Sequence, residues 1–334
     1  MSLVRLLLGL LCIVWLASCG PGDGKVRVKG HFKNLDNAEF YVYSEEGSHP
    51  AIDTVRIEGG KFSFDRVCTE PEVLTFLYPN FSRTYITIEP DATVTIKANA
   101  ERLEAADVSG TEANERFSAF RLKNLGKPKG DMHLAAAQFI RDNAATIDAL
   151  AAIVQYFAQQ EQPEPGETLS LLDALKKGQP GSKALARIDR RLRPMLQNGS
   201  GQLLQSFSAA TLDGGRVTRD DFSGKPLLIT FLASWQSESH AVALQQRRLW
   251  RAFGGKLQQL TISLDTDMEK FRQFVASDSV AAPVICDGLA FESPLVRQFG
   301  VRYVPGNILV GADGRVVGRD LKKDDLEIQI ARLL

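Results

Sequence analysis

Residues 224–240 read GKPLLITFLASWQSESH. The run from Leu227 to Leu232 is unbroken in its apolarity. It is entered through Lys225-Pro226 and left through Ala233-Ser234-Trp235, after which Ala241, Leu244, Arg248 and Leu249 fall at helical spacing. A short continuous apolar run bounded by turn residues suits a strand covered on both faces, and the change of period marks where a helix begins. The expectation is a buried strand that turns into a helix, with any site at the turn.

The surrounding residues extend this pattern. Phe207 and Leu212 flank a hairpin signal at Asp213-Gly214-Gly215, and Asp220 to Gly224 leads into the strand. Beyond the helix come Leu257 to Leu264 as strand, Asp267 to Ala276 as helix, and Pro283 to Cys286 as a short extended piece. Pro294 to Phe299 follows as helix, Ile308 to Val310 and Val316-Val317 as a strand pair around Asp313-Gly314, and Lys323 to Leu333 as a last helix. Alternating strands and helices over 201–334 give an α/β sheet domain.

The stretch 224–240 resembles the thioredoxin superfamily, specifically its membrane-anchored thiol-disulfide oxidoreductases and the alkyl hydroperoxide reductase/thiol-specific antioxidant group, whose members read roughly GKPVLLxFWASWCxxCR. Later residues resemble the family pattern GVxxxPxxxLIDxxGxI through Gly300-Val301, Pro305, Leu309-Val310 and Asp313-Gly314. Both family cysteines are missing: Gln236 stands for the attacking one and Ser239 for the resolving one, with Ser237 and Glu238 between and His240 in the usual basic position. Thr230 occupies the place where many thioredoxins carry a buried acid. Exchange needs a thiolate, favoured at a helix N-terminus, whereas an amide cannot attack a disulfide and a serine without a base is a poor nucleophile. The resemblance therefore implies a thioredoxin fold with degenerate redox positions and no catalytic residue. It also makes Val304-Pro305 the family's cis-proline, where an extended peptide can pair through backbone groups; Pro305 serving only to shape the turn is the other reading, and Gly306 alters the groove.

Other chemistry at the turn has little support. Glu238, Ser239 and His240 are the residue types of a hydrolase triad, but neighbours on a helix point in different directions. Ser237 is expected to cap the helix and Glu238 to suit its positive end, while Trp235 is expected to pack at the corner. Cys286 lacks a helix N-terminus and reads as core.

At the start of the chain, Arg5 precedes the apolar run Leu6 to Ala17, which ends in Leu16-Ala17-Ser18-Cys19. This reads as a signal peptide over 1–19, too short for a permanent span. Its end resembles the bacterial lipobox, which implies lipidation of Cys19 and, with Gly20 next and no acidic cluster following, a cell-envelope protein on the outer membrane facing the periplasm. Cys68 and Cys286 remain. They either pair in an oxidising compartment or stay as buried free thiols.

From residue 25 to 110, short period-two segments such as Val26, Val28, Phe32 and Phe62, Phe64 are punctuated by Gly59-Gly60 and Pro90-Asp91. They argue an antiparallel β-sandwich or small barrel, and the sandwich is the reading taken. The order Lys29-Gly30, Ile52-Asp53-Thr54-Val55, Gly60-Lys61-Phe62, Ile88-Glu89-Pro90 and Val108-Ser109-Gly110-Thr111 resembles a domain of unknown function found before thioredoxin-like domains in Gram-negative envelope lipoproteins.

Residues 111–200 turn helical, with faces through Phe117, Phe120 and Leu125, then Leu134, Phe139, Ile147, Leu150, Ile153, Val154 and Phe157, then Leu185, Ile188, Leu192, Met195 and Leu196. Pro163 and Pro165 break the middle of this region. The charges of Arg187 to Arg193 read as a solvated helix face. The whole is an α+β multidomain chain: sandwich, helical connector, thioredoxin-like domain.

Lys+Arg and Asp+Glu are both 40 in 334 residues. That balance offers no sign of the basic stripe that nucleic-acid binders carry. His31, His49 and His133 lack metal spacing, so neither metal nor cofactor is expected. Three functions follow: a redox-inactive envelope protein that binds a protein or extended peptide at the Pro305 face, with Trp235, Ser237, Glu238, His240, Val304 and Pro305 as the candidate binding residues, an oxidoreductase using Cys68 and Cys286, or a lipoprotein whose sandwich carries the binding.

Overall fold

A computed structural model describes residues 22, 24–44, 52–160, 163–278 and 282–334. The signal segment, Cys19 and His49 lie outside the described residues. The chain divides into two compact units, Met1–Met132 and His133–Leu334.

The first unit holds eight strands: β1 (Lys25–Lys33), β2 (Ala38–Ser44), β3 (Asp53–Ile57), β4 (Lys61–Val67), β5 (Glu72–Leu77), β6 (Arg83–Ile88), β7 (Thr93–Asn99) and β8 (Asp107–Ser109). They form two four-stranded sheets in the orders β4-β1-β7-β8 and β3-β2-β5-β6. Pairing is antiparallel except between β1 and β7, which run parallel. Alternation explains the two layers. In β1, Val26, Val28 and Phe32 point inward and join Phe40, Phe76 and Ile86 from the other sheet in one core. Each such buried side chain stabilises the fold by roughly 1.5–3 kcal/mol.

Gly30 occupies the remaining inward position of β1 because the Phe62 ring lies over it; a Cβ there would stand 1.9 Å from that ring. Helix α1 (Glu112–Lys123) follows, with the Thr111 side chain accepting from the Asn114 amide at its start. Asn114, buried, accepts from the Thr87 N–H at 2.9 Å and donates to the Thr87 carbonyl at 2.7 Å, tying the helix to β6.

The outward positions of β1 are Lys25, Arg27, Lys29, His31 and Lys33, all basic residue types. Equal charge totals had offered no sign of a basic stripe. The sheet builds one, because period two sends every cation of this strand to the same side.

Next in the chain come α2 (Lys129–Asp142), α3 (Ile147–Ile153) with a π turn at Val154–Ala158, α4 (Pro165–Gly178) and α5 (Lys183–Gln197). Pro165 begins α4, where a missing N–H costs nothing, and the Glu164 carboxylate accepts from the Gly166 and Glu167 amides. Leu150, Ile153, Leu172, Leu185, Ile188 and Leu192 are buried. Three expectations for residues 111–200 fail, the first at Leu125, which is 38% exposed rather than on a packing face. Leu134 is 68% exposed, so it belongs to the outer side of α2 rather than its packing face. The Arg187 to Arg193 run is not a solvated face: Arg187, Arg191 and Arg193 are half-buried, and Arg193 is paired with Asp173 and Asp189.

The second unit also carries the hairpin β9 (Ser208–Ala210) and β10 (Arg216–Thr218), then β11 (Leu227–Leu232), α6 (Ser237–Phe253), β12 (Gln258–Ser263), α7 (Met268–Asp278), β13 (Val284–Ile285), α8 (Pro294–Gln298), β14 (Gly306–Val310), β15 (Val316–Arg319) and α9 (Lys323–Leu333). The main sheet has the order β13-β12-β11-β14-β15. β11 is central, parallel to β12 and antiparallel to β14. Its continuous apolar run is explained by two cores. Leu227, Ile229 and Phe231 pack with Phe207 and Phe299 on one face, and Leu228 packs with Leu249, Leu326 and Ile330 on the other.

α5 is fastened to this domain. The Asn198 side chain donates to the Gln298 carbonyl at 2.9 Å, and Arg319 donates to the carbonyls of Met195 at 3.0 Å, Phe299 at 3.2 Å and Gly300 at 3.3 Å. Gly300 has φ +63 and comes so close to Met195 that a Cβ would meet its backbone nitrogen at 2.4 Å. Only glycine fits there.

Candidate functional site

The turn after β11 is built from backbone and side-chain hydrogen bonds that all stay within the protein. Ala233 ends the strand, and its carbonyl accepts from the Gln236 amide at 3.1 Å. Gln236 is the N-cap of α6: its backbone is extended and its side-chain oxygen accepts from the Ser237 N–H at 3.1 Å. The expectation that Ser237 caps the helix is therefore corrected. Ser237 is already the first helical residue and its hydroxyl is exposed, whereas the longer Gln236 side chain folds back onto the free amide.

Ser239 is fully buried, and its Oγ accepts from the Ala233 N–H at 3.1 Å. A hydroxyl in this position closes the loop from strand end to helix and is withheld from solvent. Glu238 is exposed in the first turn, where the helix dipole favours an acid. His240 is exposed, with its ring 4.8 Å from that of Phe274. Trp235 does not pack at the corner; it is 61% exposed.

Across from the turn, the Val304-Pro305 peptide bond is cis. The Gln236 amide nitrogen donates to the Val304 carbonyl at 3.4 Å, so the residue expected in the attacking-cysteine position touches the proline loop directly. Val304 is buried, Pro305 half-buried, and Tyr303 beside them 54% exposed. Burial, and then the charge of Asp320, raise the Tyr303 phenol above its ordinary value, keeping it a neutral donor. A cavity of about 570 Å³ opens beside this loop, lined among others by Met195, Tyr303, Arg319, Asp320 and Lys322.

One residue that sequence reading missed organises the turn. Asp265, buried at the end of β12, accepts from the Ser234 N–H at 2.9 Å, from the Ser234 hydroxyl, and from the Ser263 hydroxyl at 2.8 Å. Parallel pairing of β11 and β12 ends at Leu232 opposite Ser263, which brings Asp265 to Ser234. A single acid after an apolar strand gave no other signal.

The described thiols, Cys68 and Cys286, are free and buried. Cys286 donates to the Asp265 carbonyl at 3.7 Å, and Cys68 to the Glu70 carbonyl at 3.2 Å. Burial pushes the Cys286 thiol up, and burial together with the Glu72 charge pushes Cys68 to about 12. A thiol so held is scarcely ionised at neutral pH and does not attack a disulfide. Among the described residues, no group of three or more His, Cys, Asp and Glu is arranged to hold a metal ion.

Residues 200–319 match the AhpC/TSA family, and residues 26–117 match a domain of unknown function (DUF4369). No curated protein matches the chain. Among solved structures, the C-terminal domain of a proposed thiol-disulfide oxidoreductase from Bacteroides thetaiotaomicron is 25% identical, with a TM-score of 0.39, covering 41% of this chain and 97% of its own. A thiol-disulfide oxidoreductase from Bacteroides fragilis is 26% identical with a TM-score of 0.37, over 39% of this chain and 98% of its own. The thioredoxin domain of a thiol-disulfide oxidoreductase from Bacteroides vulgatus is 20% identical with a TM-score of 0.37, over 40% and 96%.

Proposed function

We propose that this chain, which matches the AhpC/TSA family over residues 200–319 and a domain of unknown function over residues 26–117, is a lipid-anchored cell-envelope protein of the thioredoxin-like superfamily in which binding has replaced thiol-disulfide exchange. The observation that carries this reading is the occupancy of the two redox positions. Gln236 and Ser239 are both engaged in holding the turn together, one as helix cap and one as a buried acceptor for Ala233. Among the described residues, neither is hydrogen-bonded to a histidine or carboxylate that could act as the base for a nucleophile.

The binding face is the Val304-Pro305 loop. An extended segment pairing along that loop gains main-chain hydrogen bonds, the means by which strand addition gives affinity without chemistry. Trp235, next to Gln236, and Tyr303, next to Val304, supply exposed aromatic surface, and the adjoining cavity can take a side chain among Arg319, Asp320 and Lys322 in its lining. The carbonyl of Val304 is already held by Gln236, so a docking segment displaces that amide or pairs with the neighbouring groups. Cys19 supplies the anchor and places the chain on the outer membrane facing the periplasm. The alternative of an oxidoreductase working through Cys68 and Cys286 gains nothing from two buried thiols with raised pKa values.

Two measurements test the reading. The full chain should not accelerate insulin reduction by dithiothreitol; clear acceleration would end the redox-inactive assignment. A photo-crosslinking residue at Tyr303, introduced in intact cells, should capture a protein through an extended segment. Labelling no stronger than from an exposed control position such as Arg251 would remove the Pro305 face as the binding site.

A further inference from the structure

The outer face of the β4-β1-β7-β8 sheet carries a charge pattern that the thioredoxin-like domain does not explain. All five outward residues of β1, Lys25, Arg27, Lys29, His31 and Lys33, are basic in type. Register extends the stripe sideways, since His31 is paired with Lys61 on β4 and with Lys97 on β7. Against six lysines and arginines on this face (Lys25, Arg27, Lys29, Lys33, Lys61, Lys97) stand two outward acids, Asp65 and Asp107. Asp65 is consumed by Arg27, which grips both its oxygens at 2.7 and 2.8 Å. Four unit charges are left over, 6 minus 2, on one face of a chain whose totals cancel.

The stripe is open to solvent. Lys25, Lys29, His31, Lys33, Lys61 and Lys97 are all exposed, and the outward positions between them are mostly hydroxyls and amides such as Ser63, Thr95 and Asn99. At the Lys33 end the face becomes concave. A pocket of about 360 Å³ is lined there by His31, Lys33, Lys97, Asn99 and Arg102 with two alanines. Holding like charges side by side costs folding energy unless something neutralises them.

We propose that this face docks on an anionic membrane surface, the lysines meeting lipid phosphates and the pocket accepting a headgroup. The choice of a membrane over another polyanion rests on the lipid-anchor reading above. β1 is the first strand of the fold, and the five residues Gly20 to Gly24 that separate it from Cys19 reach roughly 20 Å at full extension. The basic face and the anchor therefore meet the same bilayer, and each cation within reach of an anionic surface strengthens adsorption roughly fivefold. Two weak attachments, an acyl group and a basic patch, hold where one alone exchanges.

The test uses the chain from Gly20 onward, which contains every described residue and has no acyl group. It is sedimented with vesicles of phosphatidylcholine and with vesicles containing phosphatidylglycerol. Binding to the anionic vesicles only, weakened at least tenfold when salt is raised to about 0.5 M and the screening length falls to a few ångströms, is the expected result. The triple variant Lys29→Glu/Lys33→Glu/Lys97→Glu should lose about a hundredfold or more in binding. The milder Lys29→Gln/Lys33→Gln/Lys97→Gln should lose less, with a parent-like circular dichroism spectrum and a cooperative thermal transition showing that both variants are folded.

Equal binding to both vesicle types, no binding to either, or a folded triple variant that binds like the parent would overturn the proposal. So would retention on heparin or duplex DNA without vesicle binding, which would assign the face to an acidic polymer. Mass spectrometry of Cys19 in cell-derived protein is a separate readout. An unmodified cysteine would refute the anchor and leave the vesicle result standing.

Discussion

The hydroxyl of Ser239 and the amide of Ala233 lie 3.1 Å apart in a buried site, so Ser239, which the family resemblance sets in the resolving-cysteine position, is the clasp of the turn. Removing it leaves a buried N–H without an acceptor. Ser239→Ala should cost about 1–3 kcal/mol in urea unfolding, and Ser239→Cys, whose sulfur is a weak acceptor at the same place, should cost less than Ser239→Ala.

The geometry also predicts a gain of chemistry. A cysteine in place of Gln236 sits at the start of a 17-residue helix, where free amides and the dipole favour its thiolate. Gln236→Cys/Ser239→Cys should therefore accelerate insulin precipitation by dithiothreitol, while the parent and either single variant stay at background. If the double variant is folded but inert, the proline loop does not present substrate as the family fold requires.

Asp265 is the acceptor for three donors at the turn. Asp265→Ala strands the Ser234 amide and two hydroxyls in a buried space and should lose about 3 kcal/mol. Asp287→Ala, which removes only a solvent-exposed acceptor for the Leu289 amide at 3.0 Å, should cost about 1 kcal/mol or less. Chemical denaturation of the two variants side by side checks the contrast.

Cys68 makes stability fall in alkali. Its thiol is held at about 12 in the folded chain against an ordinary 9.0 when unfolded. Below pH 9 both states keep the proton and the group is silent; between 9 and 12 the unfolded chain releases a proton that the folded chain retains, so unfolding is favoured as pH rises. The slope from this one group is at most about 1.4 kcal/mol per pH unit. Cys286 and Tyr78, also raised by burial, act in the same direction. Unfolding curves at pH 8 and 10.5 should show the loss, and Cys68→Ala should reduce it. Neither thiol should react with iodoacetamide at neutral pH until denaturant is added.

The central strand was legible because a run buried on both faces must be apolar throughout, and Leu227 to Leu232 has no other comfortable place. Alternation in β1 revealed a half-buried strand for the same reason. What escaped was relational. Gln236 is a poor capping residue by general preference, so Ser237 looked the better choice; only the turn's backbone places the glutamine carbonyl over the free amide. Asp265 acquires its partners from strand register, which a linear reading does not supply.

Packing of Trp235 at the corner is what the family resemblance implies, yet the corner leaves this side chain 61% exposed. Equal charge totals concealed the lysine stripe, although reading β1 with period two would have exposed it. The parallel pairing of β1 with β7, which carries the stripe across to Lys97, was beyond composition or spacing.

Met195 and Gly300 share a gap too narrow for a single methyl group, and Arg319 clamps the backbone on both sides of it. Helix α5 thus acts as a doorpost for the loop that carries Pro305. In the binding role proposed above, the fit of α5 against Gly300 therefore helps set the width of the cavity beside that loop, which Met195 and Gly300 both line.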